Sequence, residues 1–141
     1  MPGDLLAKAY AQRFSPTERG ARLARHLALV QLDEWGVVHS SALSDDAGSV
    51  VGELAANAVR HGAAPGRDIE LRLVIIPSLL RIEVTDARAD LWPQVRPPRR
   101  GAESGYGMAM VAALAAAWGV AEQGVGKTVW AELRRDPPGA C

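Results

Sequence analysis

Residues 52 to 62 read GELAANAVRHG. At 3.6 residues per turn, Leu54 and Ala58 continue an apolar stripe begun by Val50, while Glu53, Asn57 and Arg60 form a polar row along its edge. A row in that position faces a groove. One reading is a solvated helix flank held by pairs three and four residues apart. The other is chemical: a carboxamide oxygen can ligate a hard cation, and a carboxylate one turn away can take a proton from an attacking hydroxyl or water. The helix is expected from about Asp45 to His61, with Ser44 as cap, Asp45 and Asp46 at the positive end of its dipole, and Gly62 as its stop. Gly48 and Gly52 weaken it, each by roughly 1 kcal/mol relative to Ala.

Upstream, Ser15, Pro16 and Glu18 make a capping-box signature for an earlier helix, whose apolar positions Leu23, Leu27 and Val30 recur at helical spacing and which stops at Gly36. Downstream, Ile69, Leu71, Leu73 and Ile75 alternate with Glu70 and Arg72, and Leu80, Ile82 and Val84 alternate with Arg81, Glu83 and Thr85. Pro77 and Ser78 turn the chain between these two strands, so they form a hairpin. Asp86 continues the inward register of Leu80, Ile82 and Val84. It is either a turn-forming strand end or an acceptor aimed at the helices, able to receive an amino hydrogen from adenine and to reject guanine.

Residues 87 to 103 carry three prolines and no periodicity, which predicts a long loop. Its cluster Arg96, Arg99 and Arg100 is either a solvated face or a contact for phosphates or an acidic partner. Trp92 packs on the domain's own surface or covers a base or partner. Gly101, Gly105 and Gly107 precede the alanine-rich run MAMVAALAAAWG, read as a third helix ending at Gly119. Such glycines are flexible loop ends, or they bring the free N–H groups of a helix start to phosphate oxygens. They match neither a Walker loop nor a dinucleotide fingerprint. VAEQ and KTVWAEL give a final hairpin, and the order of elements predicts an α+β two-layer sandwich, with helices on one face of a mostly antiparallel sheet.

At 141 residues the chain has room for one domain, expected at 11–134 between a lead-in over 1–10 and a flexible tail over 135–141. Sixteen basic residues balance sixteen acidic ones, so no overall field points to nucleic acid or an anionic membrane. The only cysteine, Cys141, excludes an intrachain disulfide, and His26, His39 and His61 lack metal-ligand spacing. Trp35, Trp118 and Trp130 are read as core. No run approaches the roughly 20 apolar residues of a membrane span and no export signal opens the chain, so a cytoplasmic setting is expected.

Four stretches in order, ELAANAVRHG, IEVTDARAD, GYGMAMV and GKTVW, resemble the successive boxes of the ATP-binding superfamily of gyrase B, the ninety-kilodalton heat-shock chaperone, histidine kinases and MutL. The short one-domain form resembles the anti-sigma-factor serine kinases, especially their actinobacterial relatives. The resemblance implies a histidine-kinase-like ATPase fold with ATP and Mg2+ as cofactors. It makes Asn57 the magnesium ligand and Glu53 the general base toward a serine of a partner protein. Asp86 becomes the reader of the adenine amino group, helped by Thr128, while Gly105 and Gly107 let the backbone approach the phosphates and residues 88–104 form a lid. The implied partners are a sigma factor and an antagonist protein, with a homodimer as the family habit. One departure stands out: where many relatives carry glycines after the aspartate, this chain reads Asp86, Ala87, Arg88, Ala89, Asp90. A non-catalytic module of the same fold, with or without ATP, is therefore the alternative.

Overall fold

The computed structural model describes residues 7–87, 106–124 and 126–135. In chain order these form β1 (Lys8–Phe14), α1 (Glu18–Glu34), α2 (Ala42–His61), β2 (Ile69–Ile76), β3 (Leu79–Asp86), α3 (Tyr106–Leu114), β4 (Ala117–Gln123) and β5 (Gly126–Arg134). The strands make one sheet in the order β1-β2-β3-β5-β4, antiparallel at every pairing. The alternation read from the sequence sets its two faces. Ile69, Leu71, Leu73, Ile75, Leu80, Ile82, Val84, Val129, Ala131 and Leu133 are buried with Val50, Leu54 and Ala58 of α2 in a single core. On the other face, Arg81 pairs with Glu83 at 2.6 Å and Glu132 at 2.7 Å, and lies 4.4 Å from the centre of the Trp130 ring. The two-layer α+β architecture is the one the order of elements predicts.

Several local expectations are corrected. β1 was not expected as a strand, and it starts inside the presumed lead-in; only Phe14 of its seven residues is buried, so its alternation is faint. Pairing with β2, from Lys8 opposite Ile75 to Phe14 opposite Ile69, makes it a strand. The cap of α1 is Thr17 rather than Ser15: the Thr17 hydroxyl accepts from Gly20 N at 3.0 Å, and the Ser15 carbonyl accepts from Thr17 N at 2.7 Å. The cap of α2 is Ser41 rather than Ser44, which is itself buried in the first turn. α3 ends at Leu114 instead of Gly119, because Ala116 N donates to Glu132 O at 2.8 Å and the chain then pairs with β5 from Ala117 onward. Sheet pairing there outweighs the helix propensity of alanine.

α1 is turned the other way round. Its buried face is Ala21, Ala24, Ala28 and Leu32, whereas Leu23, Leu27 and Val30 are 55%, 37% and 45% exposed. Small residues win because α1 packs closely on α2. Arg25 lies over Gly48 and Gly52, and its Nε donates to Gly48 O at 2.9 Å. A Cβ on Gly48 would stand 3.1 Å from the Arg25 guanidinium, so the glycines that weaken α2 as an isolated helix make room for its neighbour. Trp35 and Trp118 pack against the core as expected, while Trp130 sits on the outer face of the sheet.

Candidate functional site

The polar row of α2 exists as a bonded unit. Arg60 Nη2 donates to Asn57 Oδ1 at 2.8 Å and to Glu53 Oε2 at 3.3 Å. That bond sets the orientation of the Asn57 amide, whose oxygen must face the guanidinium. Its Nδ2 is then a donor in a side chain only 9% exposed, and it has no hydrogen-bond partner among the described residues. An unmade bond of this kind costs about 1–3 kcal/mol, so the position favours a ligand that brings an acceptor. Burial raises the Glu53 carboxyl above the usual carboxylate value, and the adjacent Arg60 charge and hydrogen bond pull it part of the way back.

Two glycines decide what meets this row. At one end, the start of α3 closes on Glu53 so tightly that a Cβ on Gly107 would overlap Glu53 Cδ and both carboxylate oxygens. At the other, Gly62 ends α2 against Asp86, and a Cβ there would lie 2.6 Å from the Asp86 Cβ and closer still to its carboxyl group. Glu53 and Gly62 are nine residues apart, so the two contacts span roughly 13 Å of α2 at about 1.5 Å per residue. One flank of one helix thus carries a carboxylate under a helix start, a buried carboxamide, and a buried acid from the end of a strand. Gly101, Gly105, the expected lid 88–104, Arg96, Arg99, Arg100 and Trp92 lie outside the described residues.

Sequence reasoning missed Lys127. In β5 it continues the inward register of Val129, Ala131 and Leu133, directly opposite Asp86. Lys127 is 2% exposed and Asp86 5%, and Nζ donates to both carboxylate oxygens, at 3.0 and 2.8 Å. The signal was in the alternation: a residue two before Val129 belongs on the core face, and a lysine there needs a carboxylate. Thr128, expected beside Asp86, is placed on the opposite face, where its hydroxyl and that of Thr85 are 2.7 Å apart. Adjacent residues on a strand point to opposite sides, so Thr128 cannot share the pocket with Asp86 and Lys127.

Leu54, Asn57, Ala58, His61, Val84, Asp86, Lys127 and Val129 enclose the base of the cleft between α2 and the sheet, and only about 10 Å³ is left there. A larger hollow of about 390 Å³ lies beyond the end of β3, lined by Arg13, Arg67, Asp68, Glu70, Thr85 and Asp86 among others, but it holds none of Glu53, Asn57 and Gly107. The donor set along α2 suits a phosphate chain carrying magnesium: an unpaired buried N–H, a helix start at Gly107, and a neutral hard oxygen on Asn57. Among the described residues no three His, Cys, Asp or Glu side chains cluster into a metal site.

Comparison with known proteins agrees with this fold. No curated protein matches the sequence. Among solved structures, the chain is similar to the crystal structure of the RsbU and RsbW domains of Rv1364c from Mycobacterium tuberculosis, with a TM-score of 0.57 and 20% identity, over 95% of this chain and 35% of that one. At that identity the likeness is one of fold, and this chain spans about a third of the other. The family model of the histidine kinase-like ATPase domain matches residues 14–133, running from the end of β1 almost to the end of β5. The chain belongs to the histidine kinase-like ATPase domain family.

Proposed function

We propose that this domain binds ATP with Mg2+ in the cleft beside α2 and acts as a cytoplasmic regulatory switch of the anti-sigma-factor type, phosphorylating a serine of an antagonist protein and sequestering a sigma factor. The observation that carries the reading is the single flank of α2 on which the Gly107 contact, Asn57 and the Gly62 contact to Asp86 follow one another. Asn57 Oδ1 holds the cation once Arg60 lets go, a release that costs little because the Arg60 side chain is 48% exposed. Asn57 Nδ2 and the N–H groups at the start of α3 hold phosphate oxygens, and Asp86 reads the base. Bound Mg2+-ATP supplies the phosphoryl group and offsets its charge. Glu53 takes the proton from the serine hydroxyl, a role its burial favours, since a raised carboxyl value makes it a stronger base.

The exposed Leu23, Leu27 and Val30 stripe of α1 supports a protein partner or a second copy of the chain, in keeping with a homodimer. A nucleotide-free binding module is the second reading, and the Lys127 ammonium on Asp86 is the observation that favours it. Thermal unfolding with and without Mg2+-ATP separates the two. At 100 times its dissociation constant the nucleotide adds about 2.7 kcal/mol, GTP adds much less, and Asn57→Ala removes most of the magnesium-dependent part. Labelled phosphate then passes from ATP to a serine of a co-expressed antagonist and fails to do so in Glu53→Ala; stabilisation without any transfer leaves a non-catalytic switch.

A further inference from the structure

Lys127 is a buried cation that the phosphotransfer reading does not use. Its place is nonetheless specific: it is the second residue of β5 and its partner Asp86 is the last of β3, so the pair closes the base end of the cleft at the end of the sheet. One ammonium occupies both carboxylate oxygens, at 3.0 and 2.8 Å, and the surrounding walls leave only about 10 Å³. That is no more than the roughly 10–15 Å³ a single water needs, and no purine enters such a space.

We propose that Lys127 sets the nucleotide affinity of this site: its ammonium occupies the place of a base's amino group on Asp86, and a nucleotide binds by exchanging with it. The inference rests on the ATP reading above. The exchange is selective. A base with an exocyclic amino group gives Asp86 a donor in return for the one displaced, whereas a base with a carbonyl there returns none. It is also opposed, because a neutral donor replaces an ionic one on a buried carboxylate. Lysine suits a part that must move. Only two lysines, Lys8 and Lys127, stand among the sixteen basic residues. A point charge on a flexible four-carbon stem can swing past the end of a strand and keep its methylenes on apolar surface, which a planar guanidinium does less readily. Asn57 and His61 of α2 line the same cavity, so the displaced stem remains beside polar neighbours at its rim.

Calorimetric titration of the full chain with Mg2+-ATP tests this. Lys127→Thr, which cannot hold the carboxylate as an ion pair, is expected to bind ATP about tenfold or more tightly than the wild type, with a smaller change for GTP. Unchanged or weaker ATP binding by a folded Lys127→Thr overturns the proposal. That variant leaves a buried carboxylate without its ammonium and can lose the fold, so a second measurement uses the wild-type chain. Acetylation of the two lysines, followed by mass spectrometry, is expected to modify exposed Lys8 readily and Lys127 slowly, and saturating Mg2+-ATP is expected to accelerate Lys127 alone. Thermal stabilisation by ATP with Lys127 labelling unchanged or slowed refutes the exchange while leaving the ATP reading intact. Absence of stabilisation in both wild type and Lys127→Thr refutes the ATP reading and the exchange together.

Discussion

Gly62→Ala probes the assembly of the base end of the cleft without replacing a charged group. Gly62 has φ −117° and ψ −2°, a conformation open to any residue, so the substitution tests space alone. The new methyl would stand 2.6 Å from the Asp86 Cβ and overlap its carboxyl carbon and Oδ2. Asp86 has little freedom to yield, being 5% exposed and tied to Lys127 through both oxygens. Two responses compete. Shifting the end of α2 costs about 1–3 kcal/mol of overpacking. Separating Asp86 from Lys127 breaks a buried pair, at about 3–5 kcal/mol. The cheaper response prevails, so a loss of about 1–3 kcal/mol is expected, a drop in Tm of roughly 3–9 °C for a domain of this size. Urea unfolding by circular dichroism measures it, with m unchanged. Gly66→Ala is the comparison: at φ +74° with nothing within 4 Å it loses only the conformational term, about 1 kcal/mol. A Gly62→Ala protein within about 0.5 kcal/mol of wild type would mean that the end of α2 and the end of β3 are not in contact, and the site as built here would fall.

Removing Arg60 as Arg60→Met deletes the influence that lowers the Glu53 carboxyl, so that carboxyl rises further, and the acidic limb of any phosphotransfer rate moves to higher pH; a carbon-detected NMR titration of Glu53 measures the shift directly. Glu53 itself has a raised folded value, so its contribution to stability is complete below the ordinary glutamate value of 4.5 and is lost as pH rises through the folded one. Glu53→Gln is therefore expected to be more stable than wild type at neutral pH, with the gain vanishing in acid, as urea unfolding at about pH 4 and about pH 7.5 reveals. On α1, Leu23→Lys with Leu27→Lys is expected to leave stability within about 0.5 kcal/mol while weakening self-association or partner binding in sedimentation; Leu32→Ala, at 0% exposure, costs about 2–5 kcal/mol.

Much of this molecule is legible in the order of its residues. Alternation along β2 and β3 predicts both strands and the inward aim of Asp86, and helical spacing in GELAANAVRHG predicts the row that Arg60 ties together. Both follow from local geometry, since periods of 2 and 3.6 state which side chains share a face. Local geometry does not state which face is covered. Both faces of α1 are apolar, and only the close approach of α2 at Gly48 and Gly52 selects the alanine side and leaves Leu23, Leu27 and Val30 outside. The end of α3 and the existence of β1 were likewise settled by hydrogen bonds to strands distant in the chain. Lys127 is the sharpest case: the sequence places it next to Thr128, but the register of β5 against β3 carries it to Asp86 and sends Thr128 to the other side, because a carboxylate and an ammonium buried together must find each other.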